Sequence, residues 1–321
     1  MIFLRYVKLY SLVSVFCASI AMTAHAADKL RVAVAHKGLW DTGVAMIIAE
    51  RQGFFAKENL DIQLRYMVNA PEIIQTMIVG ENDVAIGVGA LAVIGAYGKG
   101  VPVRIISAEM TGNEYYWYAK TSSPINSLKD LKGRTLGHNS PGTAAHLSAL
   151  ALKSHSGVDV KLVMSGGMPD NLTQVLSGQI DVGYGLPPTG LDKLQKGEIK
   201  VIALGSEIPA LRDLTLRVNA ATADYLSAKR DVLTKLIRAR TNAIRWMYEN
   251  RNESIKVFAE INNIDEGVAR QVFKFYTLEN LAPAPIKNLD WNLREAEKYQ
   301  FVSKPLTPAQ VKTLVDLVYV P

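Results

Sequence analysis

Apolar side chains recur at helical spacing at Ile74, Met77 and Ile78, a glycine follows at position 80, and a short apolar run begins after Asp83. The succession returns at Leu172, Val175 and Leu176, with Gly178 and Asp181 in the matching places. Both belong to longer copies of one pattern, PEIIQTMIVGENDVAIGVGA at residues 71–90 and PDNLTQVLSGQIDVGYGLPP at residues 169–188, offset by 169 − 71 = 98. At that offset Pro71 meets Pro169, Glu72 meets Asp170 and Gly87 meets Gly185. Each copy predicts an amphipathic helix closed by a left-handed glycine, and then a strand.

The register extends outward, since residues 61–64 match residues 159–162, and with one residue lost Gly100 matches Gly197. Each half therefore reads strand, helix, strand, helix, strand. That alternation predicts an α/β fold of two similar parallel-sheet lobes, with ligand held where the carboxyl ends of their strands face each other.

Between the copies, further strands are expected at Leu30 to Ala35, Pro102 to Ala108, Tyr115 to Ala119 and Thr135 to His138. A loop at His36 to Thr42 precedes a helix through Glu50 that ends around Gly53, and a returning strand is expected at Leu214 to Val218. The remainder is mostly amphipathic helix, broken near Pro283 and Pro285. Residues 27–110 and 208–321 are thus assigned to one lobe and residues 113–205 to the other. In the basic stretch Lys229 to Arg251, the apolar face of Val232, Leu233, Leu236, Ile237, Ile244 and Met247 leaves Lys235, Arg238 and Arg245 on a solvated face.

Composition narrows the class. A chain of 321 residues suits two lobes better than one. Arg5 and Lys8, the apolar run from Leu9 to Met22 and Ala24-His25-Ala26 form an export signal over residues 1–26, with the mature chain expected from near Ala27. No later apolar segment approaches the length of a membrane span. Cys17, the one cysteine, lies in that signal after Phe16, which disfavours lipidation and leaves the exported chain without disulfides or a cysteine nucleophile. A formal charge of +6, with no dense basic block, argues against nucleic acid as a partner.

The stretches AERQGFFAKENLDI (residues 49–62), VGENDVAIG (79–87), SPINSLKDLKGR (123–134) and LSGQIDVGYGLPP (176–188), in this order, resemble the solute-binding proteins of ATP-driven importers for sulfonates, nitrate, taurine and the thiamine pyrimidine precursor. The resemblance covers the chain after the export signal. It implies a two-lobed periplasmic binding protein fold of type II with two crossings, a small-molecule ligand closed between the lobes, an ABC permease as membrane partner, a periplasmic monomer and no cofactor.

Within the expected cleft, Asn139 to His146 opens a helix for which Ser140 reads as N-cap and Pro141 as first residue. Thr143 stands where a capping box would place Glu or Gln, so the donors of Gly142, Thr143 and Ala144 are open to an anion, with the helix dipole in its favour. The corresponding segment lines the ligand in the resembling family. His146, one turn in, leans back toward the same place. Trp40 is a candidate to shield an organic part, and Asp41 or Glu109 to meet a ligand amine or the lobe's own backbone. Val88 and Leu186 bring apolar side chains to strand ends, which disfavours an inorganic anion such as nitrate. Thr42, Gly89, Gly167 and Pro187 complete the ligand-binding set. His36 and His155 have no partner at metal-ligand spacing, and no metal is expected.

Ser140 with His146 is the nearest approach to a catalytic dyad, and no third member can be named. The expected function is capture of a small organic anion, sulfonate or carboxylate, for delivery to a permease. Its rivals are a neutral heteroaromatic such as a thiamine pyrimidine precursor and, further off, an enzyme of the same fold.

Overall fold

The computed structural model describes residues 26–321, so residues 1–25 of the expected export signal, Cys17 included, lie outside the described residues. Two sheets dominate. In the first, β1 (Asp28–Ala35) pairs in parallel with β2 (Leu60–Met67) on one side and β3 (Val84–Gly89) on the other. An antiparallel strand from far along the chain, β10 (Thr215–Thr222), then separates β3 from β4 (Val103–Thr111), giving the order β2-β1-β3-β10-β4.

The second sheet repeats this plan. Its strands are β5 (Tyr116–Lys120), β6 (Thr135–His138), β7 (Lys161–Met164), β8 (Gly183–Gly185) and β9 (Ile199–Leu204). β6 pairs in parallel with β7, β5 runs antiparallel between β8 and β9, and a parallel bridge from Leu136 to Val182 joins the two groups. Read across, the order is β7-β6-β8-β5-β9, position for position that of the first sheet. In each, the strand in fourth place is the one that has just crossed between sheets: the chain leaves the first after Thr111 and returns after Leu204.

The repeat thus has a structural basis. The helices Ala70–Ile78 and Met168–Ser177 follow β2 and β7, and Gly80 (φ 75°) and Gly178 (φ 82°) end them in the left-handed conformation that only glycine adopts cheaply. The buried face of the first helix is Ile73, Ile74 and Met77, whereas Ile78, expected to share it, is exposed.

One departure from the sequence expectation lies after β1. Residues 40–44 form not a loop but a widely wound helical turn, Val44 N–H donating to Leu39 C=O at 3.0 Å, which leads into the helix Ala45–Arg51. The long helix Ala223–Glu249, kinked at Lys229, packs its apolar side chains on this segment, and all six residues of the expected face are buried. At the outer edge Asp316 and Val318 N–H donate to the carbonyls of Ile105 and Ile106, so the chain end straps β4. No helix among the described residues is long and apolar enough to cross a membrane.

Candidate functional site

A small cavity of about 30 Å³ lies between the sheets at the carboxyl ends of their parallel strands. His36 follows β1, Gly89 ends β3, Asn139 follows β6 and Leu186 follows β8, while Tyr115 comes from the first crossing. Leu39, Val68 and Met168 give the walls an apolar stretch, with Val68 61 % exposed at the rim.

The helix start on the second wall differs from the sequence reading. The N-cap is Thr143, not Ser140, and the helix runs Ala144–Ser156. Thr143 Oγ1 accepts from His146 N–H (3.3 Å) and donates to Ser140 C=O (2.7 Å), while Gly142 N–H donates to His146 Nδ1 (3.3 Å). The Gly142 amide, the Thr143 hydroxyl and the His146 ring are therefore engaged with one another. The Thr143 amide is engaged too, donating to Ser140 C=O at 3.3 Å. No acceptor among the described residues takes the amides of Ala144 and Ala145, both of which line the cavity. These first-turn donors, not those of Gly142 and Thr143, are the open ones.

Gly142 lies at φ 85°, a conformation that lets the loop turn tightly into the helix. Ser140 Oγ donates to Asn139 Oδ1 at 3.3 Å rather than to His146, so the suggested dyad does not form. Burial, and then its neighbour His138, holds the His146 imidazole down at about 4; the two rings lie 4.6 Å apart.

On the facing wall the dominant group is one the sequence reading missed. Arg217, on β10 and 3 % exposed, lines the cavity, and its guanidinium meets Asp41 through Nε (3.1 Å) and Nη2 (2.6 Å) and Glu114 through Nη2 (2.5 Å). Nη1 has no hydrogen-bond partner among the described residues. Burial pulls this guanidinium down, but the carboxylates of Asp41 and Glu114 outweigh it and hold the group well above its usual range. Burial and then Arg217 hold the neighbouring His36 imidazole down at about 4. The available signal was a single charged residue inside the apolar run LTLRVNAA, where an arginine needs a buried partner or a ligand.

Several expected ligand contacts lie elsewhere. Trp40 is fully buried and packs edge-on against Tyr248, Phe258 and Phe273, with centroids 6.3, 5.4 and 5.3 Å away. It is a core residue of the first lobe because the helical turn at 40–44 points it inward. Asp41 serves Arg217, and Glu109 pairs with the fully buried Arg240 at 2.8 Å, so neither carboxylate stands free for a ligand amine. Burial pushes the Glu109 carboxyl up to about 7 against the pull of Arg240.

Thr42 donates to His36 C=O (3.3 Å), with its methyl facing Gly87, and the Val88 side chain is in the core. Gly167 caps the helix Met168–Ser177, and neither it nor Pro187 lines the cavity. Of the expected set, Gly89, Thr143, Ala144 and Leu186 line the cavity.

A family model described as NMT1/THI5 like matches residues 42–254. No curated protein matches the chain in sequence. Among solved structures, the alkanesulfonate-binding protein SsuA from Xanthomonas axonopodis pv. citri, bound to MOPS, superimposes with a TM-score of 0.77 at 17 % identity, over 92 % of this chain and 100 % of its own. The periplasmic aliphatic sulphonate binding protein SsuA from Escherichia coli gives 0.74 at 17 % identity, over 88 % and 96 %. The desulfurization enzyme DSZB gives 0.64 at 14 % identity, over 88 % and 95 %. The shared fold therefore holds both binding proteins and an enzyme.

Proposed function

Because the chain belongs to the NMT1/THI5-like family, we propose that it is the periplasmic solute-binding component of an ABC importer, a monomer that closes on a small organic anion and delivers it to a permease. The observation that carries the ligand reading is Arg217, which lines the same cavity as the open amides of Ala144 and Ala145 and whose Nη1 is buried without a partner. Two kinds of donor from opposite walls suit a sulfonate or carboxylate, and the helix dipole adds to them. The carbon part lies along Leu39, Val68, Met168 and Leu186. Binding proteins of known structure with sulfonate ligands in their names support this class.

Residues 27–110 with 208–321, and residues 113–205, are the two bodies that move, hinged at the crossings. A binder is favoured over an enzyme because Ser140, the serine of the suggested dyad, donates to Asn139 Oδ1 rather than to His146. A neutral heteroaromatic is the second reading, supported by Tyr115 and Tyr184, whose rings line the cavity 6.1 Å apart.

A calorimetric panel of alkanesulfonates, carboxylates and pyrimidines tests the reading. Binding of a sulfonate or carboxylate, lost ~100-fold in Arg217→Met, is the expected result, since a hydrogen bond to charge contributes ~1.5–3 kcal/mol. Binding of pyrimidines alone supports the second reading instead.

A further inference from the structure

Two carboxyl groups face one guanidinium beneath the cleft, and this excess bears on what Arg217 accepts. Asp41 and Glu114 are both fully buried against it. Behind them Glu109 and Arg240 form a second buried pair, so three carboxyl groups stand against two guanidiniums. The groups facing Arg217 from other elements bring no compensating charge. Tyr115 and Tyr276 are phenols whose ionisation burial opposes, and burial holds His36 neutral at pH 7. No lysine lines the cavity, and Arg217 is its one arginine among the described residues.

Resting on the anion reading above, we infer that Asp41 and Glu114 are specificity-determining residues, which let Arg217 hold a singly charged head group and exclude a doubly charged one. An anion at Nη1 adds negative charge beside a guanidinium already matched twice over. Asp41 accepts two hydrogen bonds from that guanidinium, and Glu114 lies 2.5 Å from its Nη2. A second negative charge on the ligand has nothing left to balance it. A like charge against a buried carboxylate lowers affinity ~100-fold or more.

Methanesulfonate and sulfate test this directly, being tetrahedral sulfur oxyanions of similar size that differ by one charge. By calorimetry at pH 7, the wild-type protein is expected to favour methanesulfonate by ~100-fold, and Glu114→Gln to shrink that preference ~10-fold. Asp41→Asn shifts it the same way and serves if Glu114→Gln does not fold. A ratio of affinities is insensitive to a general loss of folded protein. Equal affinities in the wild type, or a preference that neither substitution moves, overturn the inference and leave the anion site standing. If the wild type binds no sulfonate or carboxylate of any chain length, the anion reading falls with it.

Discussion

Gly89 on the first lobe and Ala144 on the second touch across the cleft: a β-carbon placed on Gly89 comes within 2.8 Å of the Ala144 amide nitrogen and 2.7 Å of Gly142 O. The backbone at Gly89 (φ −61°, ψ 132°) is open to any residue, so contact between lobes, not chain conformation, is what requires glycine here. Replacing Gly89 by Leu should prevent full approach of the lobes while leaving each intact. Small-angle scattering with saturating ligand should then show a larger radius of gyration than for wild type, with affinity reduced at least ~10-fold by the lost closed state.

Trp40 fills a ring of three aromatic side chains rather than the cleft. Trp40→Ala should cost ~3–5 kcal/mol in urea unfolding, as large-to-small changes in a packed core do. A variant that keeps wild-type stability yet loses ligand affinity would return Trp40 to the binding site.

Arg240 and Glu109 form a fully buried pair at 2.8 Å, and the guanidinium also donates to Asp41 C=O at 2.9 Å. Arg240→Met strands the Glu109 carboxylate and should destabilise by ~3–5 kcal/mol. The double variant Arg240→Met, Glu109→Leu removes both charges and should recover part of that loss. Denaturant midpoints of the two variants read the difference, and a double variant no more stable than the single one contradicts the expectation.

The His146 imidazole, held at about 4, stays neutral in the folded protein where the unfolded chain, at its ordinary 6.5, is protonated. Stability from this group is complete above pH 6.5 and is lost as pH falls toward 4, because the unfolded state then binds the extra proton. His36 acts in the same sense, and Glu109, raised to about 7, in the opposite one, so the difference between proteins is informative. His146→Gln, which keeps an acceptor for Gly142 N–H, should show a smaller fall in melting temperature from pH 7 to pH 4.5 than wild type. Equal falls would mean that His146 titrates alike in both states.

How much of this was legible in the sequence depended on range. The two-lobe architecture was, because helix periodicity and the glycines at 80 and 178 are local signals set by backbone sterics. The helix start near residue 140 was found but its cap misplaced by three residues, since Ser140 and Thr143 are both good caps and the choice rests on which hydroxyl reaches the His146 amide. Trp40 was assigned to the cleft because a loop after a first strand opens there; the helical turn that buries it depends on partners at Tyr248, Phe258 and Phe273, two hundred residues onward. Arg217 escaped for the same reason: its meaning comes from Asp41 and Glu114, which are near it only in three dimensions.

The insertion of β10 between β3 and β4 also constrains the order of assembly. As the chain is synthesised, β4 emerges with no neighbour to pair with, for the strand that ties it to β3 arrives only with residues 215–222. The second sheet, built wholly from residues 116–204, is complete before then. The lobe that begins the polypeptide is thus the last to close its sheet, and until Thr222 has emerged the edge of β3 stands unpaired, exposed to whatever chaperone or stray strand meets it first.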